Sequence, residues 1–288
     1  MNILVTGANG QLGRSLAKAT AASAHNYIFT DIDTLDITSP ESVARMLDGK
    51  GIDIVVNCAA YTDVNKAESD AVAARLINAE APAILASAIA KRGGFLIHVS
   101  TDYVFGGDSN IPLKEDDPLS PLGVYGKTKA EGERKIREIT QHHIIIRTAW
   151  LYSEYGRNFV KTMLTLTGTH DEVKVVADQT GSPTYALDLA EAIACIIESG
   201  AYSANTGTYH FTDLGTCTWF DLAHEVSSIA RHKARVVPCS TDEFPSPAPR
   251  PAFSVLDKRK ISDTFSLQIP YWRDSLVKCL ENILSPDF

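Results

Sequence analysis

Cysteine is scarce. Cys58, Cys195, Cys217, Cys239 and Cys279 are five scattered thiols with no C-x-x-C pair among them. That pattern excludes a disulfide frame and a cysteine-built zinc site, and it suits the reduced thiols of a cytoplasmic protein. Positive charge is in deficit: 27 Lys and Arg against 35 Asp and Glu give a net charge of −8. No basic stripe is there to compensate phosphates, so nucleic acid is excluded as a partner. Long apolar runs are missing too. No stretch approaches the roughly 20 residues of a membrane span, and no basic-then-apolar leader follows Met1, so neither a membrane nor secretion is expected. Internal repeats and low-complexity segments are absent. What remains is an ordinary globular composition, 44% hydrophobic and 22% charged over 288 residues. That is enough for a sizeable core, as one large domain or a main domain with a smaller lobe.

The chain begins with a short apolar run, residues 2–6 (NILVT), followed at once by Gly7, Gly10 and Gly13 and then a helical stretch from Arg14. Strand, glycine turn and helix in that order form a dinucleotide-binding context. The first glycine permits the tight turn, the second lets backbone approach a pyrophosphate, and the third lets helix and strand pack closely. The helix N-terminus offers free N–H groups to the phosphates. Residues 27–30 predict a second strand ending at Asp31, which lies 18 residues beyond Gly13. A carboxylate there suits an adenosine ribose and NADH, whereas Arg14 suits the 2′-phosphate of NADPH, so the choice stays open. Asp36 either caps the helix that begins near Pro40 or faces the adenine. Residues 53–57 are a buried strand, and the small residues after it, Cys58, Ala59 and Ala60 before Tyr61 and Thr62, let backbone lie against a cofactor. Residues 72–91 predict one long helix, kinked or broken at Pro82.

Residues 95–100 are the next strand, with Thr101, Asp102 and Tyr103 at its carboxyl end, the edge where open parallel sheets bind ligands. His98 reads as a core histidine. Thr101 stands 24 residues before Tyr125, and Tyr125 and Lys129 are four residues apart. On a helix over 125–139 they share a face. An ammonium near a phenol lowers the phenol's pKa from about 10 and fits it for proton transfer to a substrate oxygen. Residues 144–147 read as strand six, with Trp150 beyond its carboxyl end, suited to wall a sugar or base. Six alternations of strand and helix up to this point predict an α/β fold, a Rossmann-like doubly wound parallel sheet. After Tyr152 the pattern loosens into a smaller α/β C-terminal lobe, where the proline-rich residues 244–251 read as a stiff loop over the site.

The three glycines with Thr101, Tyr125 and Lys129 resemble the extended short-chain dehydrogenase/reductase superfamily. Residues 100–106 (STDYVFG), 178–184 (DQTGSPT), 207–210 (GTYH), Trp219 and residues 250–257 (RPAFSVLD) narrow the resemblance to its dTDP-4-keto-6-deoxysugar reductases, from Asn2 to about Leu284. The resemblance implies NADPH or NADH as cofactor and a dTDP-sugar as substrate. It implies Tyr125 as proton donor, with Lys129 and Thr101 in support. Gly10, Gln11, Leu12, Asp36, Ile37, Ala60, Tyr61 and Thr62 become cofactor contacts, and Asp102, Trp150 and Arg250 sugar-nucleotide contacts. It divides the chain into 1–150 for the cofactor and 151–288 mainly for the sugar nucleotide, with about 185–212 returning to the first domain. Related dehydratases carry Thr-Asp-Glu where this chain has Thr101-Asp102-Tyr103. Without that carboxylic acid, simple reduction is expected rather than elimination. One departure is Asn65, where the family pattern has aspartate. Ser15 stands where relatives that pair through a metal have a ligand, so no metal is assigned and monomer or homodimer stays open. The alternatives of another class are a sugar-nucleotide epimerase and a non-catalytic regulatory subunit of the methionine adenosyltransferase type.

Overall fold

A computed structural model describes residues 1–285. Its first half runs β1 (Asn2–Thr6), α1 (Gln11–Ala19), β2 (Asn26–Thr30), α2 (Pro40–Lys50), β3 (Ile54–Asn57), α3 (Val64–Ala67), α4 (Ala71–Arg75), α5 (Ala81–Ala90), β4 (Phe95–Thr101), α6 (Val124–Ile139) and β5 (His143–Thr148). The second half runs β6 (Leu151–Tyr152), α7 (Phe159–Thr169), β7 (Glu172–Val176), β8 (Thr180–Gly181), β9 (Thr184–Tyr185), α8 (Ala186–Glu198), β10 (Gly207–His210), β11 (Cys217–Thr218), α9 (Trp219–Ile229), β12 (Arg235–Cys239), α10 (Arg259–Phe265) and α11 (Trp272–Leu284).

The main sheet has six parallel strands in the order β10-β5-β4-β3-β1-β2. Its central strands are buried on both faces, so they read as unbroken apolar runs. Leu12 and Leu16 of α1 and Leu189, Ile193 and Ile197 of α8 cover one face. Val43 and Leu47 of α2, Leu85 and Ile89 of α5 and Ile136 of α6 cover the other. The count of alternations needs correction: five strands, not six, precede Trp150, and residues 144–147 belong to the fifth. The sixth is β10, which returns late in the chain and pairs Gly207 to His210 with Ile144 to Arg147. It removes what would be an open row of backbone groups on β5.

The helix predicted over 72–91 runs Ala71–Ala90, long and apolar enough by length and composition to cross a membrane. That corrects the expectation from apolar runs alone; Ala74, Ala79, Leu85, Ala86 and Ile89 are buried in the protein. In place of a simple kink it contains a π-helical turn at Leu76–Glu80. Pro82 has no N–H for the carbonyl of Asn78. A Cβ on Gly132 would sit 2.2 Å from that oxygen, so α6 packs here only because residue 132 is glycine.

The second lobe surrounds the parallel pair β7 and β12. Its core is Val160 and Met163 of α7, Leu222 and Val226 of α9, and Leu276 and Leu280 of α11. From β1 the chain goes outward to β2, then crosses back to β3 on the other side of β1. A crevice at that switch point, at the carboxyl ends of the strands, is where such sheets receive ligands.

Candidate active site

A cleft of about 810 Å³ opens at that crevice. Gly7, Gly10, Gln11, Leu12, Gly13, Asp31, Ile37, Ala59, Ala60, Tyr61 and Thr62 line it from the first lobe. Thr101, Asp102, Tyr103, Tyr125, Lys129 and Trp150 also line it. Gly7 has φ +68, and a Cβ there would lie 2.7 Å from the Ala59 nitrogen. A Cβ on Gly13 would lie 2.4 Å from the Gly7 oxygen. The turn therefore brings the backbones after β1 and β3 together and leaves a cradle of backbone that a pyrophosphate fits.

Asp31 braces this turn, its Oδ2 accepting the Asn9 N–H at 2.8 Å and its Oδ1 the Ile32 N–H at 2.8 Å. The Arg14 guanidinium lies over the Tyr155 ring, 4.2 Å from its centroid. Asp36 is not among the residues lining the cleft. Leu35 and Ile37 on either side turn inward, which points Asp36 out to solvent. There its Oδ1 accepts the Thr38 N–H at 2.9 Å and the Thr38 hydroxyl at 2.6 Å, so it serves the turn before α2.

One residue of this region escaped the sequence reading. Asn78, on the π-helical turn, accepts the Tyr61 N–H at 2.9 Å and donates to the Tyr61 oxygen at 3.1 Å and the Thr128 hydroxyl at 3.2 Å. It clamps the backbone of the loop after β3. No local pattern announces it, because its partners lie 17 and 50 residues away.

Thr101 ends β4, and its hydroxyl accepts the Tyr103 N–H at 3.2 Å and donates to Asp102 Oδ1 at 3.0 Å. Tyr125 and Lys129 are in α6, as predicted, and both share the cleft with Thr101. The Tyr103 ring meets Tyr125 edge-on at 5.6 Å. The expected fall of the Tyr125 pKa is corrected: burial pushes it up, with Asp102 and Tyr103 adding to the rise and the Thr101 hydroxyl opposing it. The spacing could not show this, because Lys129 aims elsewhere. Its Nζ donates to the Val99 oxygen at 2.7 Å and stands 3.3 Å from His98 Nε2. Burial brings Lys129 down to about 8, while Glu133 one turn on and Cys58 pull it up. His98 is buried, as expected, but it is more than packing. Its Nδ1 meets the Asn57 amide at 3.0 Å, and burial, then Lys129 and His143, holds it well below the usual range, hence neutral.

Beneath the cleft lies a satisfied buried ion pair. Glu133 Oε1 accepts from Ser100 Oγ at 2.6 Å and Arg147 Nε at 2.9 Å, and its Oε2 accepts from Arg147 Nη2 at 2.8 Å.

A second cavity of about 970 Å³ shares Thr62, Val64, Tyr103, Trp150 and Leu151 with the first. Residues 244–250 line it, so the proline-rich segment lies over a cavity that adjoins the cleft. Trp150 adopts a left-handed backbone, φ 50, and its indole stacks on Trp219 at 3.6 Å and 12°. A Cβ on Gly181 would lie 2.6 Å from that indole. Arg250 lines only the second cavity, and its Nη2 donates to Asn65 Oδ1 at 3.3 Å, which also accepts the Ser246 hydroxyl at 2.8 Å. Among the described residues no group of three or more His, Cys, Asp or Glu gathers to hold a metal ion.

A glycine-turn cradle facing a Thr–Tyr–Lys set across one crevice is the arrangement of a Rossmann-type oxidoreductase. The chain belongs to the family described as the RmlD substrate binding domain, which its residues 1–285 match. It is 38% identical to the dTDP-4-dehydrorhamnose reductase of Burkholderia thailandensis, over 99% of this chain and 100% of that protein. The crystal structure of a dTDP-4-dehydrorhamnose reductase from Clostridium acetobutylicum has TM-score 0.94 at 41% identity, covering 99% of this chain and 100% of that one. A dTDP-4-dehydrorhamnose reductase from Bacillus anthracis, solved in complex with NADP, has TM-score 0.93 at 38% identity, covering 98% and 99%.

Proposed function

We propose that the chain reduces the C4 ketone of dTDP-4-dehydro-L-rhamnose to dTDP-L-rhamnose, a precursor for cell-surface polysaccharide, using NADPH or NADH in the cytoplasm. The observation that carries the reading is the convergence of Thr101, Tyr125 and Lys129 on one cleft with the Gly7 to Gly13 cradle, in a chain matched along its length by reductases of that reaction. The close backbone approach at Gly7 and Gly13 and the small residues Ala59 and Ala60 fit a dinucleotide, with Asp31 at the adenosine end. The bound cofactor supplies the hydride.

The chain supplies the rest. Tyr125 enters the reaction as a neutral phenol, since burial opposes its ionisation. It gives that proton to the C4 oxygen as charge develops there. Thr101, which lines the same cleft, helps hold and orient that oxygen. Lys129, one turn along α6 in the same cleft, keeps a positive charge below a pH of about 8 and is placed to hold the nicotinamide ribose. Trp150 and its stacked partner Trp219 wall the sugar. Arg250, held at the mouth of the second cavity by the neutral Asn65, keeps a full charge for the diphosphate.

The test is cofactor oxidation with enzymatically prepared dTDP-4-keto-6-deoxy-L-mannose, followed by NMR of the product. Loss of reduced cofactor that depends on this substrate and yields dTDP-L-rhamnose is the expected result. A folded protein that binds NADPH and oxidises none of it would instead point to an epimerase or a non-catalytic subunit.

A further inference from the structure

The cradle at the start of α1 has no side-chain charge of its own. Gly7, Asn9, Gly10, Gln11, Leu12 and Gly13 line it, in a chain whose net charge is −8. A pyrophosphate is anionic and calls for a cation there. Of the residues that line the cleft only Lys129 and Arg157 are cationic. The Lys129 Nζ is committed to the Val99 oxygen at 2.7 Å. Arg14 does not line the cleft, and its guanidinium lies over the Tyr155 ring. Arg157 comes from the other lobe, on the loop between β6 and α7. That loop is fastened to the cradle through one side chain. Gln11 Oε1 accepts the Ser153 hydroxyl at 3.1 Å and the Asn158 amide at 2.9 Å, and Gln11 Nε2 donates to the Leu151 oxygen at 3.4 Å. Gly156 takes the turn at φ +63, and a Cβ there would lie 3.5 Å from Gln11 Cγ. Asn158 is held on its other side as well, its Oδ1 accepting the Lys161 N–H at 2.9 Å to cap α7. Arg157 therefore stands between two residues that lie against Gln11. The loop's one acid, Glu154, is turned away, its Oε1 accepting the Tyr185 hydroxyl and the Asn282 amide. Among the described residues Arg157 makes no hydrogen bond or ion pair.

We propose that Arg157 is the cation that closes the cradle, binding the pyrophosphate of the cofactor from the second lobe while Gln11 holds its loop in place. The inference rests on the reductase reading above, with its dinucleotide in the cleft. A guanidinium presents a planar fork of donors that fits phosphate oxygens. The N–H groups at the start of α1 serve the same anion from the first lobe. Gln11 is then a positioning residue with two connections. Its backbone belongs to the cradle, and its side chain carries the loop that brings the charge. The pyrophosphate is common to NADH and NADPH, so Arg157 grips both alike and does not choose between them. Arg250 lines only the second cavity, so the two arginines serve different diphosphates.

The experiment is fluorescence titration with NADPH and with NADH at low and high salt, beside competition by ADP and by adenosine. Arg157 is exposed, so Arg157→Gln leaves the fold intact. It is expected to weaken both dinucleotides about 10-fold at low salt. The loss is smaller at high salt, where screening already weakens the contact in the unaltered protein. ADP loses affinity by a similar factor, adenosine loses none, and dTDP binding is unchanged. Gln11→Ala frees the loop and weakens NADPH on its own, but adds much less in the Arg157→Gln background, where the charge it positions is already gone. An Arg157→Gln protein that binds both dinucleotides as tightly as before overturns the proposal. A loss confined to NADPH puts Arg157 on the 2′-phosphate, a loss confined to dTDP puts it on the sugar nucleotide, and equal losses for ADP and adenosine make its effect structural; each of these overturns it too. An unaltered protein that binds neither dinucleotide overturns the reductase reading, and the clamp with it. Turnover of the unaltered enzyme with the sugar nucleotide decides the reductase reading separately.

Discussion

Two buried carboxyl groups flank the candidate active site, and they have been treated in opposite ways. Glu133, under the sheet, is fully buried, yet Arg147, Ser100 and Arg137 together overcome the effect of burial and hold it below the usual glutamate range. Asp102, at the cleft, is as deeply buried but has one hydroxyl-bonded oxygen and one bare one, and it rises to about 6. Burial costs each of them alike. Hydrogen bonds and a countercharge decide which one stays ionised. The first ties β4, α6 and β5 into one body and has no proton to offer. The second is left short of partners next to Thr101, at the wall of the cleft.

The comparison breaks hardest at Tyr125. Tyr125→Phe removes the phenol proton meant for the C4 oxygen, and kcat is expected to fall about 10²–10⁴-fold with NADPH affinity retained; steady-state rates beside a binding titration check this. Near-normal turnover would remove Tyr125 from the chemistry. Next is Glu133→Gln, which leaves the Arg147 guanidinium buried without its countercharge. A loss of about 3–5 kcal/mol is expected, measured by urea unfolding. Adding Arg147→Met should recover much of it, because the pair is then removed together.

Asp102→Asn should act in the opposite sense on stability. The folded pKa is raised from 3.8 to about 6. Below pH 3.8 both states are protonated and the group is neutral to stability. As pH climbs from there to about 6, the unfolded chain ionises first and the native state loses ground. Above that window the deficit is constant, about 2–3 kcal/mol from the size of the shift. The asparagine variant should therefore unfold at higher urea at pH 7 and show no such advantage at pH 3. The smallest effect belongs to Ser100→Ala, which removes one of the bonds to Glu133. It should cost about 1.5 kcal/mol and leave kcat near its unaltered value, although Ser100 adjoins Thr101.

What the sequence disclosed follows the reach of its signals. The glycine turn, Thr101 and the Tyr125–Lys129 pair are read within one turn or one strand end, and each lines the cleft. Asp36 was open to two readings, and its neighbours favour the turn: Leu35 and Ile37 go inward, so the carboxylate between them goes out. The Tyr125 pKa misled because four-residue spacing fixes a shared face but not burial, nor where the Nζ of Lys129 points. Asn78 and the Glu133–Arg147 pair were silent, since each acts through partners far along the chain. The second lobe was harder to read than the first. Its β6, β8, β9 and β11 are two residues each, too short to show any period.

The late strand β10 also has a consequence for how this molecule is made. One face of the sheet is covered by α1 together with α8, and among the described residues the outer edge of β5 is paired by residues 207–210. During synthesis the first 150 residues therefore leave the ribosome with one side of the sheet only partly covered and one edge open. They must wait for about 60 more residues, roughly 3–12 seconds at ordinary elongation rates. The interval is a window for aggregation or chaperone capture that the finished protein, with its edge paired, no longer presents.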